Sequence, residues 1–308
     1  MAEVVCVLTG SETMQSVQPR IEALLAAPAG RAFLLIAARS GLDPAIIAEP
    51  QTSLEIAALA LDAVSLWRMD RAAMLGELEG ADGRGLEDLA RVLLTCPGAA
   101  RWFAPLERSN QVWLSKDAHP PLAAHLVSPG APPSSWERYA QKPAGGFFTS
   151  TLIDGSSSAW TVIALGASDL ADAFTSDPIA CWRLAARSDA RILEIDGPQA
   201  WHSLCLKYAA HGEDARTVPD WSAVARDYDA VHLTLGGLLT AEQVRIVSSV
   251  GWSEHWGWDV EQTLWLHWSF TRIERLPDRP RRPEASPASH AGRLRGLTLG
   301  TAQSAKDR

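Results

Sequence analysis

Apolar residues recur every three or four positions from residue 16 to about residue 101, and this period predicts amphipathic helices. The pattern is clearest in the segments VQPRIEALLAA, SLEIAALALDAVSLW and GLEDLARVLL. Prolines and a GADGRG turn separate these segments. No polar residues cluster in this part of the chain at a spacing that suggests chemistry. Residues 1–106 are therefore predicted to form a helical N-terminal domain whose role is packing or docking.

After Pro105 the pattern changes to short runs rich in Val, Phe, Trp and Thr, separated by Gly, Pro and Ser, and this predicts β-strands. The runs are QVWLS, GGFFTSTLI, AWTVIAL, ARILEI, AVHLTL, QVRIV and TLWLHWSF. Helices are predicted between them at residues 199–210 and 219–226. The connections are not a regular βαβ alternation, so residues 107–276 are predicted to form a mixed, mostly antiparallel sheet domain and the fold class is α+β.

The C-terminal segment 277–308 contains few large apolar residues and is predicted to be a flexible basic tail. It carries seven Lys/Arg against three Asp/Glu, so the rest of the chain is more acidic than the whole, whose formal net charge is -8. Proteins that bind duplex DNA or RNA grooves need a basic footprint. An acidic body makes duplex nucleic acid an unlikely partner.

The four cysteines, Cys6, Cys96, Cys181 and Cys205, lie among apolar neighbours without a disulfide or metal spacing. They are predicted to be buried thiols in a reducing compartment. The opening MAEVVCVLTGSE lacks a basic segment and a long apolar core, and no run reaches the length of a membrane span. A cytoplasmic protein without a membrane partner is expected.

The stretch GWDVEQTLWLHW holds the most suggestive chemistry. If residues 259–270 are extended, successive side chains alternate between two faces. One face then carries Asp259, Glu261, Thr263, Trp265, His267 and Ser269. The other face carries Val260, Gln262, Leu264, Leu266, Trp268 and Phe270. The first face suits a ligand cleft, although acids at the entrance of a strand are commonly solvated and Trp265 and His267 could pack under a helix.

Two further runs bring polar groups into apolar strands. AVHLTLGGLL places His232 and Thr234 on one face and ends in Gly236-Gly237, which permits close approach of the backbone. GGFFTSTL places three hydroxyls directly after two phenylalanines. Buried hydroxyls need hydrogen-bond partners, either across the sheet or on a ligand.

Together these motifs resemble those of ADP-ribosyltransferases of the arginine, Ser-Thr-Ser, Glu-x-Glu type. Phe148-Thr149-Ser150-Thr151 looks like the hydroxyl motif, with Ser150 at its centre. Asp259-Val260-Glu261 looks like the acidic motif, with Asp where Glu or Gln is usual. The resemblance covers residues 110–275 and implies two facing sheets with NAD in the cleft. It departs at the first motif, where QVWLSKD offers Lys116 instead of an arginine, with Arg108 just before it.

The resemblance implies roles for these side chains. Glu261 is the catalytic carboxylate that stabilises the oxocarbenium-like state formed as nicotinamide leaves, and Asp259 helps to orient the attacking group. The residues expected to bind NAD are Ser150, Thr149, Thr151, Phe148, His232, Trp265 and Lys116. His232 or His267 could replace the missing arginine. The expected activity is transfer of ADP-ribose or hydrolysis of NAD. The acceptor, a protein or a small molecule, is left open, as is a role as toxin, defence factor or small-molecule modifier.

Several other interpretations remain open. Two carboxylates could serve a glycosidase. A metal could be held by His255, Asp259, Glu261 and His267, although no HxxxH, HExxH or CxxC spacing supports one. Cys205 could be a nucleophile paired with His211. A non-enzymatic binding or immunity-type module could use the tryptophan cluster as its recognition surface. That cluster is Trp252, Trp256, Trp258, Trp265 and Trp268.

Overall fold

The structure is a computed structural model. It describes residues 14–40, 56–57, 59–61, 63–64, 83–115, 119–126, 129, 141–143, 146–153, 158–161, 178–211 and 216–278. Cys6, Lys116 and almost all of the basic tail lie outside these residues. Within them no single helix is long and apolar enough to cross a membrane. One pair, 17–26 and 28–39, reaches that length only together and is bent by 96°.

The described residues of the N-terminal part are mainly helical, as predicted. Its helices are α1 (Met14–Ala26), α2 (Pro28–Ser40) and α3 (Gly83–Thr95), followed by a 3-10 helix at Pro97–Phe103. The described residues between 56 and 64 are also helical. Their apolar faces form a core in which Leu24, Phe33 and Leu93 are fully buried. The three- and four-residue spacing thus becomes a buried stripe on each helix.

The strand-rich part is built around one large sheet. Its strands are β1 (Gln111–Ser115), β2 (Phe147–Thr151), β3 (Ala180–Ala186), β4 (Ile192–Ile195), β7 (Ala230–Leu233), β10 (Gln262–Trp265) and β11 (Phe270–Arg275). Their order is β11-β3-β1-β2-β10-β7-β4. Every neighbouring pair is antiparallel except β4 and β7. The mixed, mostly antiparallel α+β class is confirmed, and these seven strands form one sheet. The two facing sheets that the resemblance implies stay a prediction.

Four more strands form two ribbons. These are β5 (Ala209–His211) with β6 (Thr217–Pro219), and β8 (Arg245–Ser248) with β9 (Gly251–Glu254). The run AWTVIAL was expected to be a strand, and this is wrong for its described part, since residues 159–161 are helical. Ala159 packs there against Val260 and Leu61. A short apolar run has no period that distinguishes a strand from a buried helix.

Three more helices lie in this part of the chain: α4 (Pro198–Lys207), α5 (Trp221–Asp227) and α6 (Leu235–Ala241). The first two correspond to the helices predicted at 199–210 and 219–226. Helix α6 begins where Thr234 accepts a hydrogen bond from the backbone N–H of Gly237 at 2.8 Å. A Cβ at Gly237 would lie 2.1 Å from the carbonyl oxygen of Ile195, so glycine permits the close approach expected there.

The register of the sheet separates a polar face from an apolar one. Glu194 pairs with His232, His232 with Thr263, and Thr263 with Thr149, so these four polar residues form one row across four strands. The adjacent row has Leu264 between Val231 and Phe148. Because side chains alternate along a strand, the two rows point to opposite sides of the sheet.

The apolar side of the sheet is covered by α4, α5 and α6. Val231, Leu264 and Trp258 share this core with Trp201 of α4. Ala29 and Val64 of the N-terminal half belong to the same core, and Leu239 of α6 belongs to the core of the N-terminal helices. Side chains from both sides of the predicted boundary at 106/107 therefore pack together, and that boundary stays a prediction.

Candidate functional site

The carboxylate of Glu261 is the centre of the candidate site. Glu261 directly precedes β10. Because β10 pairs with β2, Glu261 lies beside β2. The Ser150 hydroxyl donates to its Oε2 at 2.5 Å, and the Thr151 hydroxyl donates to its Oε1 at 2.8 Å. The backbone N–H of Thr151 lies 3.1 Å from Oε2 and 3.2 Å from Oε1. The hydroxyl motif and the acidic residue predicted from sequence thus meet in one place.

A fourth donor to Glu261 is His232 on β7. Its Nε2 lies 3.1 Å from Glu261 Oε1, and its Nδ1 lies 2.5 Å from Glu194 Oε2. A neutral imidazole carries a proton on one nitrogen only, so bonds to two carboxylates require the imidazolium. Burial lowers the pKa of His232, but the hydrogen bonds and charges of Glu194 and Glu261 outweigh it and raise that pKa to about 9. His232 is therefore positively charged at neutral pH.

Glu261 is nearly buried and yet ionised. Burial, the largest influence, raises the pKa of its carboxyl group. The hydrogen bond and charge of His232, with the bonds from Ser150 and Thr151, outweigh burial and hold that pKa below its usual value. Its side chain remains 13% exposed. The result is a fixed, weakly basic carboxylate with a small part of its surface open.

The remaining hydroxyl of the motif bonds across the sheet. The Thr149 hydroxyl donates to Gln111 Oε1 at 2.6 Å and accepts from the indole N–H of Trp265 at 2.8 Å. Gln111 Nε2 donates to the Thr151 hydroxyl at 3.1 Å. Gln111 is fully buried and supports two hydroxyls of the motif. In the sequence, the sign of this role is slight, because Gln111 is a lone polar residue at the start of an apolar strand.

Two aromatic side chains expected to contact NAD pack in the protein core or against it. Trp265 is 1% exposed and packs against Phe270, with ring centroids 4.5 Å apart. Phe148 lies on the apolar side of the sheet, where its ring meets the edge of Trp258. Neither ring belongs to the group of side chains that meets Glu261.

The structure also separates Asp259 from Glu261. Asp259 forms an ion pair with Lys142 at 3.6 Å, and its side chain is 8% exposed. The Lys142 ammonium lies 5.5 Å from the centre of the Phe148 ring, on the apolar side of the sheet. Burial lowers the pKa of Lys142, and the charge of Asp259 opposes this shift. Asp259 therefore belongs to a different cluster from Glu261.

That second cluster is centred on Glu242, which directly follows α6. Its Oε2 lies 2.9 Å from His255 Nδ1, and its Oε1 accepts the backbone N–H of Gly257 at 2.9 Å. Both side chains of the pair are at most 2% exposed. Burial raises the pKa of Glu242. The bonds hold residues 255–257 against the end of α6, a contact that the sequence did not predict.

The cations considered for the missing arginine are engaged elsewhere or lie outside the described residues. His267 Nε2 lies 2.7 Å from the carbonyl oxygen of Ala225, and Arg108 donates to the carbonyl oxygen of Ala190 at 2.7 Å. Lys116 belongs to the undescribed residues. A contact with the NAD pyrophosphate stays a prediction for Lys116.

The metal and cysteine alternatives gain no support. His255, Asp259, Glu261 and His267 each have different partners, and no group of three or more His, Cys, Asp or Glu in the described ranges could hold a metal ion. Cys205 is fully buried, as predicted, and burial raises the pKa of its thiol to about 12. A buried neutral thiol is a poor nucleophile.

The five tryptophans do not form one exposed patch. Trp258 and Trp265 are buried, and the other three are partly buried. Arg245 covers the Trp252 ring with its guanidinium 4.0 Å from the ring centre. These five tryptophans therefore do not provide the single recognition surface that the non-enzymatic binding module requires.

A cavity of about 180 Å³ lies elsewhere, between α1 and the start of α4. Arg20, Phe103 and Asp196 are among its lining residues, and none of the side chains that meet Glu261 lines it. The cavity and the candidate site are thus separate features.

Comparisons with protein-family models, curated proteins and solved structures found no match to this chain. The geometry around Glu261 is therefore what supports a function for this chain.

Proposed function

We propose that the protein is an NAD-consuming enzyme, an ADP-ribosyltransferase or NAD glycohydrolase, with Glu261 as its catalytic carboxylate. The observation that carries this proposal is the convergence of Ser150, Thr151 and His232 on one nearly buried carboxylate. Groups with perturbed pKa values and several converging partners are typical of functional sites. The order of the motifs along the chain and their pairing on β2 and β10 support the same family resemblance.

The reaction breaks the bond between the ribose anomeric carbon and the nicotinamide nitrogen, and the bonding electron pair leaves with nicotinamide. Positive charge develops on the ribose as this bond lengthens. A preorganised negative group stabilises such a state without reorganising at the moment of reaction. The lowered pKa of Glu261 suits this electrostatic role better than the role of a strong base, since a carboxylate beside an imidazolium has little affinity for a proton.

The proposal gives the hydroxyls and His232 an orienting role. Four hydrogen bonds fix the Glu261 carboxylate from β2 and β7, so its position does not depend on the substrate. Because both nitrogens of His232 are bonded to carboxylates, His232 orients Glu261 and has no nitrogen left to bind the pyrophosphate of NAD. Water or an acceptor then forms the new bond to the anomeric carbon and releases its proton to the solvent. In this scheme Asp259, paired with Lys142, has a smaller part than the resemblance implies.

The test is release of nicotinamide from NAD by the purified protein, beside Glu261→Gln. Loss of the carboxylate charge is expected to reduce release by about 100-fold or more, the size seen when one electrostatic group is removed from an active site. Glu274→Gln is the matched control, because Glu274 lies on the edge strand β11 with 37% of its side chain exposed. Circular dichroism must show that both variants are folded.

Two results would count against the proposal. A wild-type protein that neither releases nicotinamide nor binds NAD would exclude this substrate. Equal release by wild type and Glu261→Gln would remove Glu261 from the chemistry.

A further inference from the structure

We propose that Glu194 is a positioning residue of the site and acts through His232 to hold the Glu261 carboxylate in place. This inference rests on the proposed function of Glu261. Glu194 belongs to none of the motifs that the resemblance carries, and it reaches the site because β4 pairs in parallel with β7.

Glu194 is held at both of its oxygens. Its Oε2 lies 2.5 Å from His232 Nδ1, and its Oε1 accepts the backbone N–H of Leu106 at 3.0 Å. The register pairs Glu194 directly with His232. The side chain is 30% exposed, whereas that of His232 is 4% exposed. A carboxylate with both oxygens bonded has one orientation, and it imposes that orientation on the imidazole.

The chain of contacts transmits charge as well as position. Two carboxylates carry charges that act on His232, Glu194 from β4 and Glu261 from the segment before β10. The groups that β2 and β10 present at this place are the hydroxyls of Thr151 and Thr263, which do not titrate near neutral pH. Removal of either carboxylate charge therefore weakens the hold of His232 on its second proton.

The consequence for Glu261 follows from the two nitrogens of the ring. In Glu194→Gln, His232 is neutral and keeps its one proton on Nδ1, where it donates to the Gln oxygen. The unprotonated Nε2 then faces Glu261 and cannot donate to it. Glu261 then loses one donor and the neighbouring positive charge. Its orientation is held only by β2, although it still carries its own charge.

The first experiment compares the steady-state kinetics of nicotinamide release in wild type and Glu194→Gln. We expect kcat to fall by about tenfold, with KM within about twofold, because one hydrogen bond to a charged group is lost in the transition state. We also expect a shift in the alkaline limb of the pH profile, which is the fall of kcat at high pH as His232 loses its second proton. In Glu194→Gln this limb should move to lower pH. Unchanged kcat and an unchanged limb would overturn the inference.

A double-mutant cycle tests whether Glu194 acts through His232. If it does, Glu194→Gln reduces kcat no further once His232→Asn is present, so the two losses are not additive. Fully additive losses would show that Glu194 acts independently and would contradict the inference. Glu194→Asp serves as a second variant, which keeps the negative charge and should retain the alkaline limb even if its kcat is reduced.

A readout without turnover separates this inference from the proposed function. The nitrogen shifts of the His232 imidazole, followed by NMR against pH, should show the imidazolium persisting into the alkaline range in wild type and less far in Glu194→Gln. An identical titration in both proteins would overturn the inference even if NAD is cleaved. A shifted titration in a protein that does not cleave NAD would support the action of Glu194 on His232 and would reject NAD as the substrate.

Discussion

Two carboxylate–histidine pairs lie on opposite sides of the same sheet. Glu261 and His232 stand on the side with the row of polar residues, and Glu242 and His255 lie in the core beside Trp201 and Trp258. Burial raises the pKa of both carboxyl groups, yet the net shift is downward for Glu261 and upward for Glu242. The two pairs resemble one another in composition and differ in the direction in which the pKa of the carboxyl group is shifted.

The difference lies in the number and kind of donors. Glu261 receives two hydroxyls, a backbone N–H and an imidazolium, while Glu242 has one histidine nitrogen and one backbone N–H, with the charge of Asp259 opposing its ionisation. Burial alone therefore does not indicate whether a carboxylate is available for electrostatic work. The number of donors does, and for this reason we propose Glu261 as the catalytic carboxylate and Glu242 as the attachment of residues 255–257.

The largest effect on stability is expected from Glu242→Ala. The substitution removes one member of a fully buried hydrogen-bonded pair and leaves His255 and the N–H of Gly257 without their partner, which costs about 3–5 kcal/mol. Urea denaturation measures the change in the free energy of unfolding. A loss below about 1 kcal/mol would show that the Glu242 contact does not hold this segment.

The alkaline pH dependence of stability is expected to come from the other pair. The pKa of His232 is raised to about 9 in the folded protein from an unfolded value of about 6.5. The stabilisation is then complete below the unfolded pKa and is lost as pH rises through about 9, with a size on the order of 3 kcal/mol. The free energy of unfolding, measured from denaturation curves across this pH range, should depend less on pH in His232→Asn and as strongly as in wild type in Glu242→Gln. The same slope in His232→Asn and wild type would contradict the assignment.

Ser150→Ala should affect activity more than stability. It removes a hydrogen bond to an ionised carboxylate, worth about 1.5–3 kcal/mol, and nicotinamide release should fall by about tenfold or more. Ser248→Ala is a matched control, since the Ser248 hydroxyl bonds only locally to the carbonyl oxygen of Gly251. A drop in melting temperature with unchanged release would place Ser150 among the structural hydroxyls.

The smallest effect is expected from Asp259→Asn. Because Asp259 is paired with Lys142, its loss should leave nicotinamide release within about threefold of wild type, a difference below 1 kcal/mol. Steady-state release assays measure this. A loss as large as that of Glu261→Gln would restore the role that the sequence resemblance gives to Asp259.

The sequence could predict the residues of single strands and not how those strands pair. Short runs of the sequence indicate Ser150, Thr151, His232 and Glu261, and the structure brings these four together. Glu194 and Gln111 were missed as members of the site because their roles depend on the pairing of β4 with β7 and of β1 with β2. Strand neighbours and register are set by the whole sheet, and no local period reveals them.

Asp259 and His267 are grouped with Glu261 in the sequence only if the strand runs from residue 259 to residue 270. The strand begins at Gln262, after Gly257 has turned the backbone with a φ of 80°. It ends at Trp265, and the N–H groups of residues 266 and 267 both bond to the carbonyl oxygen of Asp229. The alternation of faces therefore holds only for the few residues between these two bends.

The most direct test of the difference between the two pairs is nicotinamide release by Glu261→Gln and Glu242→Gln, measured side by side at a temperature at which both are folded. Each variant replaces the carboxyl group of a buried carboxylate–histidine pair by an amide of nearly the same shape. We predict a loss of about 100-fold or more for Glu261→Gln and release within about threefold of wild type for Glu242→Gln. Equal losses in the two variants, or undiminished release by Glu261→Gln, would contradict the assignment of chemistry to Glu261.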